Sequence, residues 1–257
     1  MKAFEMIDVL KRVGKPRNSG ITMVLDKGLG MGAAKDLMPF SDYIDLIKLG
    51  WGTPLLYPEE LLKKKIKIYR DKDISVCNGG TLFEIAYSNK KIDEFLKYCK
   101  SIGFDAIEIS DGSIEIKSDD RVKLIKKTSD MGFKVFSEVG KKDPKKDSTL
   151  TTEYRVDEAK MDLKAGAFKV IMESRESGKN IGIYDEKGSV KQGMAKALAS
   201  KIGLKNIIFE APEKSQQVHL ILNFGPDVNL GNIKPDELVP LETLRRGLRG
   251  DTLGKLF

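Results

Sequence analysis

The feature that most constrains the fold of this 257-residue chain is the alternation of two kinds of segment along its whole length. Longer segments, such as 58–71, 91–103 and 120–132, place apolar residues at helical spacing. Shorter segments have the apolar, partly β-branched composition of buried strands. There are eight of these: TMVLDKG (22–28), YIDLIKLG (43–50), ISVCNGG (74–80), AIEISDG (106–112), KVFSEVG (134–140), FKVIMESRE (168–176), NIIFEAP (206–212) and DVNLGNI (227–233).

Glycines mark the ends of several predicted helices. Gly103, Gly132 and Gly166 precede strand segments and can adopt the left-handed conformation that ends a helix. Eight strand–helix units in a chain of this length match a (β/α)8 barrel, whereas an open doubly wound sheet normally has fewer strands. The sequence contains no G-x-G-x-x-G or Walker A motif, and no linker rich in Pro, Gly or Ser.

We therefore predict an α/β protein with one domain, a single (β/α)8 TIM barrel. The predicted boundaries are 1–257 for the domain, 1–20 for an N-terminal extension and 241–257 for a segment after strand eight.

Composition excludes several classes of function. No apolar run reaches the roughly 18 residues of a membrane span, and the N-terminus lacks the pattern of a secretory signal, so we expect a cytoplasmic protein with no membrane partner. The net charge of +7 comes from lysines spread along the chain without a nucleic-acid-binding motif, which suits small anionic ligands rather than nucleic acid. Cys77 and Cys99 lack metal-ligand spacing and are predicted to be packing residues.

A carboxylate interrupts the apolar segment AIEISDG. An isolated Glu108 could lie on an exposed edge strand or pair with a lysine. In a barrel, however, Ile107 and Ile109 would face the helices and Glu108 would face the lumen, near the C-terminal strand ends that carry active sites. The same apolar-Glu pattern recurs on the next three strands, at Glu138, Glu173 and Glu210.

Four carboxylates in one pocket repel one another and require cations of comparable charge. Mg²⁺ prefers oxygen ligands and fits this set better than zinc, because the chain has one histidine and no clustered cysteines. That histidine, His219, lies in a predicted helix, which leaves lysine or carboxylate as the catalytic acid or base. We therefore predict a magnesium site at Glu108, Glu138, Glu173 and Glu210.

Basic side chains near the C-terminal ends of other predicted strands would offset the negative charge of these acids. They are Lys27, Lys48, and Lys141 or Lys142. Gly79 and Gly80 would let backbone amides approach an anion, although a plain turn explains them equally well. The segment LETLRRGLRGDT (241–252) contains Arg246 and is either a solvated helix or part of a phosphate site, since barrels often bind phosphate after strands seven and eight. Arg175, close to Glu173, could face the same ligand.

Motifs at nearly every predicted strand end resemble those of the phosphosulfolactate synthase family. The resemblance runs from about residue 16 to the C-terminus. The motifs are VLDKG (24–28), YIDLIKLGWGT (43–53), GGTLFE (79–84), IEISDG (107–112), SEVGKK (137–142), RESGK (175–179), FEAPEKSQQ (209–217), VNLGNI (228–233) and LETLRRGLRGDT (241–252).

The resemblance implies a Mg²⁺-dependent lyase that adds sulfite to phosphoenolpyruvate and gives (2R)-phospho-3-sulfolactate, in coenzyme M or sulfolactate biosynthesis. It implies Lys142 as the proton donor to C2 and a homo-oligomer such as a trimer. It implies a metal site drawn from Glu108, Glu138 and Glu173, with Glu210 as a substitute for any of them. The residues it implies for the phosphate, carboxylate and sulfite groups are Lys27, Lys48, Arg175 and Arg246.

Three alternatives stay open from the sequence. Barrels also host Schiff-base aldolases, for which Lys48 or Lys27 would be the catalytic amine. A stress-associated relative could keep the barrel and use the pocket only for binding. The segment GKPRNSG (14–20) resembles the bacterial branch of the family, so the product could serve coenzyme M synthesis or be released as sulfolactate.

Overall fold

The computed structural model describes residues 3–256, and its architecture is the predicted single-domain barrel. Eight strands form one sheet in the order β3-β2-β1-β8-β7-β6-β5-β4, and the paired strands are parallel. All eight predicted strands are confirmed. They are β1 (Thr22–Asp26), β2 (Leu46–Leu49), β3 (Ser75–Asn78), β4 (Ala106–Ile109), β5 (Lys134–Val139), β6 (Lys169–Met172), β7 (Ile207–Glu210) and β8 (Leu230–Ile233).

Helices surround the sheet, and the predicted segments 58–71, 91–103 and 120–132 correspond to α2, α4 and α5. The helices are α1 (Met31–Asp36), α2 (Glu59–Arg70), α3 (Gly80–Ser88), α4 (Ile92–Ile102), α5 (Ser118–Asp130), α6 (Pro144–Asp147), α7 (Thr152–Ala165), α8 (Gln192–Leu198), α9 (Lys214–Phe224) and α10 (Leu238–Arg245). Gly103, Gly132 and Gly166 have φ angles of 100°, 82° and 114°, as expected for glycines that end helices. Within the described part of the chain, no helix has the length and hydropathy needed to cross a membrane.

Side chains, rather than a backbone ladder, close the barrel between β3 and β4, the two ends of the strand order. The Asn78 amide donates to the Glu108 carbonyl at 3.1 Å, and the Glu108 N–H donates back to Asn78 Oδ1 at 3.0 Å. Below this pair, the Asp105 carboxylate accepts from the Val76 N–H at 2.8 Å and from Ser75 Oγ at 3.0 Å. This junction between β3 and β4, the seam of the barrel, therefore fixes the backbone of Glu108.

Alternation along the strands divides the interior into layers. Apolar side chains fill the lower lumen, and the outward-facing apolar residues of the strands pack against the helices in two larger clusters. The lower layer consists of Ile21, Met23, Leu46, Cys77, Ala106, Phe136, Ile171 and Ile208. Two residues after the lower-layer residue of β2, β4, β5, β6 and β7, the side chain is charged and buried, so these side chains lie above the layer at the C-terminal strand ends. They are Lys48, Glu108, Glu138, Glu173 and Glu210. Cys77 and Cys99 are buried and unpaired, as predicted.

Arginines close the opposite, N-terminal end of the barrel. Arg245, at the end of α10, is fully buried and donates to the carbonyls of Val228 at 2.7 Å and Ile21 at 3.2 Å, just before β8 and β1. Arg12, in the segment that precedes β1, is bound to the Glu242 carboxylate and the Gly20 carbonyl. Helix α10 therefore runs from the C-terminal end of the barrel to its N-terminal end.

Candidate active site

A cavity of about 180 Å³ opens at the C-terminal ends of the strands. Its lining consists of Leu25, Lys48, Trp51, Gly79, Gly80, Thr81, Glu108, Glu138, Lys142, Glu173, Arg175, Glu176, Glu210 and Asn232. A larger, more open groove of about 640 Å³ lies on the outer surface beside α3, α4 and α5, but none of the predicted site residues line it. The concentration of buried charge makes the strand-end cavity the candidate active site.

Three of the predicted glutamates form a group that fits a metal ion. Glu138, Glu173 and Glu210 are almost fully buried, and one oxygen from each lies within 4.8 Å of the other two. Glu173 Oε2 has no hydrogen-bond partner, so one carboxylate oxygen is free to act as a ligand. Three carboxylates are the kind of donor set that a hard divalent cation prefers. These side chains could therefore hold a metal ion.

The electrostatics of this group reflect the crowding. Burial, together with the charges of Glu138 and Glu210, raises the pKa of Glu173 well above its usual range. Burial would also raise the pKa of Glu138, but the nearby lysines, Lys142 foremost, outweigh it and lower that pKa to about 2. Opposite shifts on neighbouring acids are expected when the two cannot both ionise freely. A divalent cation between the carboxylates would offset their mutual repulsion and allow both to ionise.

Lys48 lies at the centre of the acidic side chains. Its Nζ is 2.7 Å from Glu108 Oε2, 3.0 Å from Glu210 Oε1 and 3.9 Å from Glu138 Oε2. Burial alone would lower the pKa of Lys48, but the three carboxylates outweigh it and hold the pKa well above its usual range. The ammonium group is therefore an internal counter-ion for the glutamates.

Both carboxylate oxygens of Glu108 are held by contacts within the chain. Its Oε1 accepts the Gly80 N–H at 2.7 Å, at the start of α3, while its Oε2 forms the ion pair with Lys48. Burial, partly opposed by Lys48, raises the pKa of Glu108 to about 7. The structure thus shows Glu108 holding Lys48 against the helix terminus. Its predicted contact with a metal ion stays a prediction.

The Gly79–Gly80 turn lines the cavity, but the N–H of Gly80 is already used by Glu108. A Cβ atom at Gly79 would lie 2.3 Å from the backbone nitrogen of Trp51, so only glycine allows the loop after β2 to pack there. The predicted role of these glycines in anion binding stays a prediction. Their observed role is to let Trp51 and Glu108 approach the backbone.

Lys142 projects into the cavity from the loop after β5. Its Nζ is 3.3 Å from both Thr81 Oγ1 and Glu84 Oε1, and 3.9 Å from Glu138 Oε1. Burial would lower the pKa of Lys142, but the surrounding glutamates, Glu138 foremost, raise it above its usual range. Lys142 therefore faces the cavity as a charged ammonium group.

Glu84 is a fifth buried glutamate at the candidate site, and it was not predicted from the sequence. Its Oε1 accepts the Ser113 N–H at 3.1 Å and lies 2.8 Å from Ser110 Oγ, which is also 2.7 Å from Glu138 Oε1. Its Oε2 has no hydrogen-bond partner. Glu84 reaches the site from α3 rather than from a strand. The available signal was the motif GGTLFE, which places a glutamate one helical turn after Gly80.

Arg175 and Lys27 lie at the mouth of the site. Arg175 lines the cavity, is exposed, and makes one long contact from Nη1 to the Lys142 carbonyl at 3.4 Å. Lys27 is exposed and forms an ion pair with Glu176, which lines the cavity although Lys27 does not. Arg175 is thus positioned to meet a ligand, whereas Lys27 lies behind the rim.

Besides Lys27, two further predicted substrate-binding residues, Lys141 and Arg246, lie outside the cavity lining. Lys141 turns away from it, and its Nζ donates to Asp111 Oδ2 at 2.8 Å and to the Asp111 carbonyl at 2.9 Å. Arg246 follows the last turn of α10 at the N-terminal end of the barrel, where it donates to Glu242 Oε1 at 2.7 Å. A helix that follows a strand runs back past it, so the end of α10 is far from the strand ends.

Strained backbone occurs in the lining of the cavity. Three non-glycine residues of its lining, Trp51, Arg175 and Asn232, have positive φ angles of 54°, 60° and 55°. Such conformations are unfavourable and persist where the surrounding structure imposes them, often at ligand sites. Trp51, in the loop after β2, and Asn232, near the end of β8, were not predicted as site residues, because the sequence gives no signal of their backbone conformation.

Comparisons with known proteins match the whole chain. The family model described as (2R)-phospho-3-sulfolactate synthase (ComA) matches residues 10–251. Phosphosulfolactate synthase from Methanothermobacter thermautotrophicus is 52% identical over 257 residues, covering 100% of this chain and 99% of that protein. Phosphosulfolactate synthase from Methanocaldococcus jannaschii is 50% identical over 257 residues, covering 100% of this chain and 100% of that protein. Phosphosulfolactate synthase from Bacillus subtilis is 42% identical over 243 residues, covering 94% of this chain and 95% of that protein. The Bacillus protein is thus less similar to this chain than the other two proteins are.

Proposed function

The chain belongs to the phosphosulfolactate synthase family, and from this premise we propose that it catalyses the Mg²⁺-dependent addition of sulfite to phosphoenolpyruvate, giving (2R)-phospho-3-sulfolactate. The observation that carries the proposal is the group of Glu138, Glu173 and Glu210 beside Lys142 in one cavity. This arrangement combines a donor set for a hard cation with a proton donor, the two features that such an addition requires.

In the proposed reaction the sulfur of sulfite forms a bond to C3 of the enol phosphate, and the electron pair of the double bond moves toward C2 and the carboxylate. Lys142 donates a proton to C2, which completes the addition without loss of phosphate. Mg²⁺, when bound, supplies positive charge that stabilises the negative charge developing on the substrate carboxylate. Glu138, Glu173 and Glu210 are the residues that would hold it.

The other charged residues arrange the site for anionic substrates. Lys48 offsets the charge of the acids and keeps Glu108 and Glu210 in place through its contacts at 2.7 and 3.0 Å. Arg175, with a single long contact of its own, is the cavity cation most available to a substrate oxygen. Together with Lys142 these residues favour a substrate that carries several negative charges.

The contacts of Lys48 argue against the alternative of a Schiff-base aldolase. That chemistry requires a neutral amine, whereas the carboxylates of Glu108 and Glu210 lie against Lys48 Nζ and favour its charged form. Lys27 does not line the cavity and is paired with Glu176. The identity of 52% with a synthase over the whole chain likewise favours the synthase over a non-catalytic stress-associated role. On the family resemblance we also propose a cytoplasmic homo-oligomer, such as a trimer.

The test is an assay of the purified protein with phosphoenolpyruvate, sulfite and Mg²⁺. We expect loss of the enol absorbance only when all three are present, and an acid-stable organic sulfonate as the product. A Glu173→Gln variant should lose most of the metal-dependent rate, whereas Glu94→Gln, on the exposed face of α4, should retain it. Enol absorbance that stays constant with and without metal would contradict the proposal. A covalent adduct trapped by borohydride would instead support the aldolase.

A further inference from the structure

Asn232, at the C-terminal end of β8, is a buried amide that the proposed reaction leaves without a role. Its relative exposure is 5%, and it lines the cavity with a backbone φ of 55°. Asparagine tolerates this left-handed conformation better than most residues, but the conformation still requires support from its surroundings. The fold therefore places this side chain at the cavity wall despite the strain.

The hydrogen bonds of Asn232 are incomplete. Its NH₂ group makes one long contact, 3.4 Å to the Arg175 carbonyl, which leaves its second N–H available to donate, and its Oδ1 has no partner. A buried amide without partners destabilises a fold by roughly 1–3 kcal/mol, so such groups are rare unless a ligand or water completes them.

Two other buried asparagines of the barrel show what complete bonding looks like. Asn229, on the N-terminal side of β8, accepts the Ile21 N–H at 3.0 Å and donates to the Ile207 carbonyl at 2.8 Å. Asn78 at the seam forms two reciprocal bonds with the backbone of Glu108 at 3.0 and 3.1 Å. The incomplete bonding of Asn232 is thus specific to the asparagine that faces the cavity.

The surroundings of Asn232 indicate which ligand its available N–H would bind. The carbonyl it approaches belongs to Arg175, whose guanidinium is exposed at the mouth of the same cavity. An amide N–H and a guanidinium on one side of a cavity are donors that suit an oxyanion. The acids that could hold a metal ion lie instead at the C-terminal ends of β5, β6 and β7.

We propose that Asn232 is a substrate-binding residue whose side-chain N–H donates to an oxyanion oxygen of the substrate that enters beside Arg175. The oxyanion is either the phosphoryl group of phosphoenolpyruvate or sulfite, both of which present acceptor oxygens. The inference rests on the proposed function for the identity of these anions. The incomplete bonding itself is independent of it.

Trp51, the single tryptophan of the chain, lines the same cavity and provides a binding signal that requires no turnover. We would titrate its fluorescence with phosphoenolpyruvate, inorganic phosphate and sulfite in turn, each with Mg²⁺. Asn232→Gly removes the amide and relieves the backbone strain, and Asn232→Asp keeps the shape but replaces the donor with a negative charge. Asn223→Asp, at an exposed position of α9, is the matched control for the change in charge.

Both variants at Asn232 should bind one class of anion at least about tenfold more weakly, the effect of losing one hydrogen bond to a charged group, with Asn232→Asp the weaker of the two. A loss confined to phosphate and phosphoenolpyruvate identifies the phosphoryl group, and a loss confined to sulfite identifies sulfite. Either result supports the proposal, provided that Asn223→Asp binds like the wild type.

Wild-type affinity of both variants for all three anions would overturn the proposal. The assay of turnover separates this failure from failure of the proposed function. A wild type that binds anions through Asn232 without consuming phosphoenolpyruvate would refute the synthase activity and leave the role of Asn232 in place. Steady-state kinetics give a second measurement, because a binding residue should raise KM for the affected anion more than it lowers kcat.

Discussion

The two ends of this barrel both bury charged side chains, but they complete the bonding of those charges in different ways. At the N-terminal end, Arg17 donates to Asp45 at 2.8 Å and to two backbone carbonyls, and Arg245 donates to three carbonyls. At the C-terminal end, the acids Glu108, Glu138 and Glu210 share the single ammonium of Lys48.

The difference separates structural charge from functional charge. At the N-terminal end Arg245 Nε lacks a hydrogen bond, but the partners of the other guanidinium nitrogens of Arg17 and Arg245 come from the chain itself, so these bonds stabilise the fold without any ligand. At the C-terminal end, Glu173 Oε2, on a side chain that lines the cavity, remains without a hydrogen bond. A group that enters the cavity could complete its bonding. Substitutions at the two ends should therefore affect different properties of the protein.

The largest effect is expected at Lys142. Lys142→Met should lower kcat by about 10²–10⁴-fold, the usual contribution of a general acid, while the protein remains folded. Lys141→Met is the matched control, because Lys141 is adjacent in sequence but its Nζ is bound to Asp111 outside the cavity. Initial rates at saturating phosphoenolpyruvate and sulfite would measure the effect. Equal losses in the two variants would mean that the cavity contact of Lys142 has no part in catalysis.

The second largest effect is expected at the N-terminal end. Arg245→Met removes a guanidinium that satisfies buried carbonyls of Pro226, Val228 and Ile21, so the free energy of unfolding should fall by roughly 3 kcal/mol. Arg246→Met should lower it by about 1 kcal/mol or less, since the main bond of Arg246 is a partly exposed pair with Glu242. Urea unfolding would measure both differences.

Both arginine variants should keep the KM values of the wild type as long as they are folded. A selective rise in KM for phosphoenolpyruvate in Arg246→Met would contradict the contrast between the two ends. It would restore the interpretation of LETLRRGLRGDT as a phosphate site. That outcome is not expected, because α10 carries Arg246 to the end of the barrel that lies opposite the cavity.

Much of this contrast was accessible from the sequence. The alternation of apolar residues with Glu108, Glu138, Glu173 and Glu210 placed four acids at one edge, because the C-terminal ends of parallel strands meet there. The side-chain period of two on a strand then determines that all four point inward. Neither inference requires knowledge of any contact, and the structure brings all four to one cavity.

The closure of the barrel and the choice between neighbouring lysines depend on tertiary contacts that no local sequence pattern encodes. The closure of the barrel by Asn78 and Asp105 could not be predicted, because the sequence does not show which neighbouring strands lack a ladder. No local pattern distinguishes Lys141 from Lys142, and only the position of Asp111 decides which ammonium leaves the cavity. For Arg246 a signal existed: a helix after a strand runs away from the active end of a barrel, so its last turn was a poor candidate for the site.

The smallest effect is expected at Glu84, which contacts Lys142 without lining the cavity. In Glu84→Gln the amide oxygen can still accept from the Ser113 N–H, so the fold should change little. The Lys142 ammonium would lose one of its carboxylate neighbours and be held less firmly toward the substrate. We expect kcat to fall roughly 3- to 10-fold, about 0.7–1.4 kcal/mol, with KM nearly unchanged.

The separation of kcat from KM distinguishes positioning of Lys142 from a general structural defect, which would lower the yield of folded protein without a selective change in kcat. Glu84→Ala should show a larger loss of kcat and also a lower free energy of unfolding, because the Ser113 N–H would lose its acceptor. A Glu84→Gln enzyme with the kcat of the wild type would show that the contact at 3.3 Å does not position Lys142. The functional part of the C-terminal end would then be limited to the side chains that line the cavity.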